Sequence, residues 1–100
     1  HHLGIKGDVP HKNAIHIPHL KIKCTDHESN PFGLQWMYYE NNAPYPELVK
    51  SETHIAFKVK DINTALIDKK VIIEPNSPST GITVAFIEEN GAPIEFLEYR

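Results

Sequence analysis

Apolar and polar residues alternate with a period of two along much of the chain, which predicts strands. In residues 54–59, Ile55, Phe57 and Val59 share one face and His54, Ala56 and Lys58 the other. The apolar face is expected to lie on a core, with the histidine face looking elsewhere. Residues 34–39 place Leu34, Trp36 and Tyr38 on one side and Gln35, Met37 and Tyr39 opposite, while residues 93–99 separate Ile94 and Phe96 from Glu95, Leu97 and Tyr99. Leu20 to Thr25 alternates as a further strand, Val71 to Ile73 reads as a short one and Ile82 to Glu88 as a longer one.

Turn and cap residues divide these strands. Asp61 is placed to cap a helix running from Ile62 to about Lys69, with Lys69 and Lys70 favourably sited near its C-terminus. Pro75 to Gly81 reads as a loop, and Asn90-Gly91 is a two-residue hairpin signal leading into the last strand. Asp26 to Pro31 makes a turn, and Ala43 to Ser51, with Pro44 and Pro46, reads as a connector. The second half is thus strand, helix, strand, strand, strand.

The first half is a degenerate copy of the second. His2-Leu3-Gly4-Ile5-Lys6-Gly7-Asp8 reads against His54 to Asp61, and Asn30 to Tyr39 reads against Gly91 to Tyr99. Each copy carries a histidine near its start and Gln35 or Glu95 near its end, and repeated units tend to place such residues around a shared interior. The spacing is 35 − 2 = 33 in the first copy and 95 − 54 = 41 in the second. The deficit falls between Gly7 and Leu20, where Val9-Pro10-His11-Lys12-Asn13 is a poor helix and Pro18 interrupts again, so the first helix is expected to be shrunken or lost. An affinity tag would account for His1 and His2, but not for the register that His2 shares with His54.

Composition narrows the function. A chain of 100 residues with 40% apolar content forms one domain with a modest core. A net charge of −3 with dispersed Lys and Arg argues against nucleic-acid binding. The single cysteine, Cys24, excludes an internal disulfide and is most simply a small strand residue. No apolar run is long enough for a membrane span or secretory core, so a cytoplasmic setting without a membrane partner is expected. His11, His16 and His19 are read as scattered surface histidines, because Pro18 breaks any helical spacing among them.

The segments "HIAFKVKDINTAL" and "GITVAFIEENGAPIEFLEY" resemble the second module of the vicinal oxygen chelate superfamily, which includes glyoxalase I, methylmalonyl-CoA epimerase, extradiol dioxygenases and drug-resistance proteins. Residues 1–7 and 20–40 resemble it more weakly, and Gly7 to Pro18 departs from it. The resemblance implies an α+β fold of tandem βαβββ modules forming a half-open mixed β-cup. Residues 1–42 would be the degenerate first module, 43–52 the connector and 53–100 the complete second module.

By motif position, the resemblance implies His2, Gln35, His54 and Glu95 as metal ligands. Such a nitrogen and oxygen set suits a divalent ion, Zn, Ni, Co, Mn or Fe(II), and leaves positions open for substrate. With Gln35 as a ligand, the set is similar to those of methylmalonyl-CoA epimerase and glyoxalase I, implying a lyase or isomerase working through enediolate or enolate chemistry, with Glu95 doubling as base. Without Gln35, His2, His54 and Glu95 match the two-histidine, one-carboxylate triad of an Fe(II) dioxygenase.

Met37, Tyr39, Leu97 and Tyr99 share faces with the proposed ligands and are expected to line a substrate pocket. Lys58 is a candidate for its rim, where it would anchor a carboxylate or phosphate; as an ordinary solvated lysine, like Lys6, it needs no such role. A metal-free drug-binding protein using Trp36, Tyr38, Tyr39, Tyr45 and Tyr99 is the non-enzymatic alternative, with Trp36 better read as core. The four matched ligand types weigh against it, and the short first module weighs against a CoA-bearing substrate. A small-molecule substrate and a homodimer are the expected partners.

Overall fold

The computed structural model describes residues 1–100, and its strands join into one mixed sheet. The strands are β1 (His2–Lys6), β2 (Ile15–Ile17), β3 (Ile22–Cys24), β4 (Leu34–Tyr39), β5 (His54–Lys58), β6 (Lys70–Asn76), β7 (Ile82–Glu89) and β8 (Ala92–Tyr99). Their order across the sheet is β2-β3-β4-β1-β5-β8-β7-β6. Two short helices, α1 (Glu47–Ser51) and α2 (Ile62–Ala65), complete the α+β architecture, and the sheet curls into a half-barrel.

Pairing across the sheet follows the sequence repeat. β1 runs parallel to β4 with Gly4 beside Gln35, and β5 runs parallel to β8 with Ala56 beside Glu95. At the centre β1 and β5 are antiparallel, with His2 opposite Ala56 and Gly4 opposite His54. The His1 nitrogen extends this ladder by donating to the Ala56 carbonyl at 2.8 Å. No helix intervenes between β1 and β2, where only turns connect the strands.

Local chemistry explains the second half well. Asp61 accepts from the N–H groups of Asn63 and Thr64, and Glu98 accepts from that of Ile62 at 2.7 Å, so three otherwise orphaned donors of α2 are satisfied. Asn90 and Gly91 adopt φ of 49° and 89°, the positive pair that a tight hairpin between twisted strands requires. Glu88 and Glu89 on β7 consequently meet Pro93 and Ala92 on β8.

Four expectations are corrected. The histidine face of β5 is the buried one: His54 and Ala56 are 3% and 1% exposed, whereas Ile55 and Phe57 are 44% and 45% exposed on the convex side. Alternation identified two faces, but not which of them the curl of the sheet turns inward. Helix α2 ends at Ala65 and continues only as turns to Lys69, because Asp68 takes a left-handed φ of 61°. Strand β6 runs through Pro75, which a bulged edge strand tolerates. The connector holds α1, with Pro46 at its N-cap, where a missing N–H costs nothing, and Val49 buried to 1%.

Only 16 of the 100 residues are buried, because the concave face of the sheet lines a cavity instead of being filled. Its volume is about 460 Å³, and every strand contributes to its wall, from Ile17 on β2 to Asn76 on β6.

Candidate metal centre

Three side chains converge on the central strands of this concave face. His2 comes from β1, His54 from β5 and Glu95 from β8. In one row across the sheet, Phe86, Glu95, Ala56 and His2 lie side by side. In the neighbouring row on the same face lie His54, Gly4 and Gln35. Each imidazole therefore stands opposite a residue with little or no side chain. A Cβ on Gly4 would fall inside the His54 ring, so this glycine is needed for its lack of bulk and not for an unusual φ.

The distances are those of an ion-paired trio that could also hold an ion. His2 Nε2 is 3.2 Å and His54 Nε2 3.1 Å from the same oxygen, Glu95 Oε1. The ligand-capable atoms of the three residues all lie within 4.8 Å of one another, close enough to hold a metal ion. Their side chains are 5%, 3% and 11% exposed. His54 Nε2 is within ion-pair distance of Glu95 but has no partner in hydrogen-bonding geometry, leaving a buried polar atom unsatisfied. Such an atom is costly unless something else bonds to it. The ring is fixed from the side by Phe86, in an edge contact with centroids 5.1 Å apart.

Electrostatics keep the cluster anionic at its carboxylate. Burial works to raise the Glu95 pKa, but the adjacent imidazoles of His2 and His54 outweigh it and hold the carboxyl below its ordinary value. Tyr39 is shifted the other way: burial foremost, then nearby Glu95, raises its phenol well above the usual range, so it faces the cavity as a neutral hydroxyl. Burial also pushes the Cys24 thiol up, opposed only in part by the nearby Gln35 amide, so Cys24 is not poised as a thiolate.

The other expected residues divide. Gln35, Met37, Tyr39, Leu97 and Tyr99 all line the cavity. Gln35 lies across Gly4 from His54. Lys58 is not in the lining; it is exposed, with Nζ 5.2 Å from the centroid of the Tyr99 ring. Lys6 pairs with Asp8 at 2.7 Å in solvent. Trp36 is half-buried outside the cavity and stacks on His11, and His16 pairs with Glu40 at 2.7 Å. His19 is exposed, as expected, and also lines the cavity.

One neighbour was not anticipated. His27, in a turn after Asp26, brings its ring to 5.5 Å from that of His2 and 4.2 Å from that of His1. Its position in a turn gives it no periodic signal; only the histidine count of seven hinted at further ligands. No protein-family model matches the chain, and no curated protein matches it in sequence.

Proposed function

We propose that this chain is a small metal-dependent enzyme of the vicinal oxygen chelate type, built from two βαβββ modules of which the first has lost its helix. The observation that carries the reading is the buried His54 Nε2, without a partner in hydrogen-bonding geometry, set beside His2 and an ionised Glu95. Support for the modules comes from the equivalent pairings Gly4 with Gln35 and Ala56 with Glu95, one in each half.

His2, His54 and Glu95 would hold a divalent ion, with Gln35 available as a fourth ligand from the same wall. Two imidazoles and a carboxylate suit Zn, Ni, Co, Mn or Fe(II). A bound ion would supply Lewis-acid polarisation of a substrate oxygen. The chain's own residues do the rest. Glu95, held as a carboxylate, is the group able to accept a proton beside a carbonyl. Tyr39 keeps its hydroxyl proton and can donate to a substrate oxygen, while Met37 and Leu97 exclude water from the inner wall. The reaction class is a lyase or isomerase step on a small oxygenated metabolite. A cavity of about 460 Å³ suits such a ligand.

A second reading follows from the three residues that meet, His2, His54 and Glu95, taken without Gln35. As a set of two imidazoles and one carboxylate, they would be the ligands of an Fe(II) dioxygenase of extradiol type. In either case the exposed Ile55 and Phe57 on the convex face support a homodimer.

The test is a titration of metal-free protein with Zn, Ni, Co, Mn and Fe(II), followed by assays on 2-oxoaldehyde adducts, epimerisable thioesters and catechols. Stoichiometric uptake that His54→Ala or Glu95→Ala abolishes, with activity on one class, supports the reading. Absence of uptake of every ion would replace it with a metal-free ligand-binding protein.

A further inference from the structure

The histidines beside this centre form a second cluster. We propose that His1, His2 and His27 make a separate metal site, selective for nitrogen-preferring ions such as Cu(II) and Zn(II), that shares the His2 ring with the first. The ligand-capable atoms of these three residues also lie within 4.8 Å of one another.

His2 is the joint between the sites. Its Nε2 faces Glu95 at 3.2 Å, while its Nδ1 lies 2.6 Å from Nδ1 of His1. Two ring nitrogens at that separation have room for one shared proton, and a metal cation displaces such a proton when it binds. His27 closes the third side, its ring 4.2 Å from that of His1 and 5.5 Å from that of His2. Asp26 Oδ1 approaches His27 Nδ1 at 3.7 Å. At that separation the carboxylate is an electrostatic neighbour of the ring and not a hydrogen-bond acceptor from it. Asp26 is itself held in place, accepting from the Glu28 N–H at 2.9 Å.

The second cluster differs from the first in donors and access. It offers three imidazoles and no carboxylate, a set that ranks Cu(II) first and Zn(II) well above Mn(II); with both sites filled, His2 would release its ring proton to solvent and bridge the ions as an imidazolate. The cluster opens outward: the His2 side chain is 5% exposed, that of His27 is 23% exposed, and His1 lies in solvent with its Nε2 against the Tyr99 hydroxyl. The exposed His1 ring gives an arriving ion the entry path that a metal site needs, once its contact with the Tyr99 hydroxyl is released. This site sits next to the proposed catalytic one but stands on His1 and His27, which that reading does not use.

The experiment is a Cu(II) titration of metal-free, tag-free protein, followed by calorimetry and electron paramagnetic resonance, on the wild type, His27→Ala, His27→Gln and His54→Ala. The expected result is two equivalents in the wild type and one in each variant, with nitrogen-only coordination in His54→Ala. Circular dichroism reports folding, and His27→Gln provides a second variant of the same turn. A single equivalent that disappears in His27→Ala and persists in His54→Ala upholds this site and overturns the first. A His27 variant that is folded and binds as many ions as the wild type overturns this site, whatever His54→Ala does.

Discussion

Gly4 lies directly opposite His54 across the β1–β5 ladder, in the space that a side chain at position 4 would occupy. Ala56 gives His2 a similar opening one row away. Gly4→Ala is therefore expected to displace the His54 ring, at about 1–3 kcal/mol for overpacking a filled site. It should also weaken metal binding at His54 and Glu95. Denaturant unfolding and a metal titration on the same variant check both, and an unchanged affinity would show that His54 does not need its present rotamer to bind.

Glu95 gives the apoprotein an acid-sensitive stability. Its carboxyl titrates below the ordinary value of 4.5 in the folded chain, so it stabilises fully above that value. The contribution is lost as pH falls through the lower folded value. Urea midpoints measured across this range should fall with acidification in the wild type, and Glu95→Gln should flatten that slope. An equally steep slope in the variant would assign the acid response to other groups.

Asp61 offers the opposite dissociation, between stability and site. It accepts from Asn63 and Thr64 at the start of α2, away from the proposed ligands. Asp61→Ala should cost about 0.5–2 kcal/mol, the usual worth of an N-cap. Metal stoichiometry should not change. A loss of metal binding in this variant would mean that α2 positions the ligands through β8.

Metal itself should stabilise the fold. A ligand at about 100 times its Kd adds roughly 2.7 kcal/mol. For a domain of this size that is a Tm increase on the order of 10 °C or more. Thermal scans with and without Zn(II) measure it, and the increase should vanish when His54 and His27 are both replaced.

The sequence signals that proved most reliable were those with a local physical cause. Asn90-Gly91 marked its hairpin because both residues must take positive φ, and both do. Asp61 marked the start of α2 because its carboxylate satisfies free N–H groups there. The repeat placed His2 and His54 in one register, and the ladder sets them across from Ala56 and Gly4. Alternation could not say which face of β5 turns inward, since Ile55 and Phe57 look like core residues until the curvature of the whole sheet is known. Helix α1 was obscured by Pro44 and Pro46, and three-residue β2 is too short for a periodic signal. His27 reaches the cluster through a turn, and only tertiary structure brings it beside His1 and His2.

The strands of the two halves of the chain hydrogen-bond to each other only where β1 meets β5. An ion held by His2 on one side of that seam and by His54 and Glu95 on the other would act as a rivet through a joint. Its removal would then free the left and right walls of the cup to splay, so the width of the cup would report whether the rivet is in place.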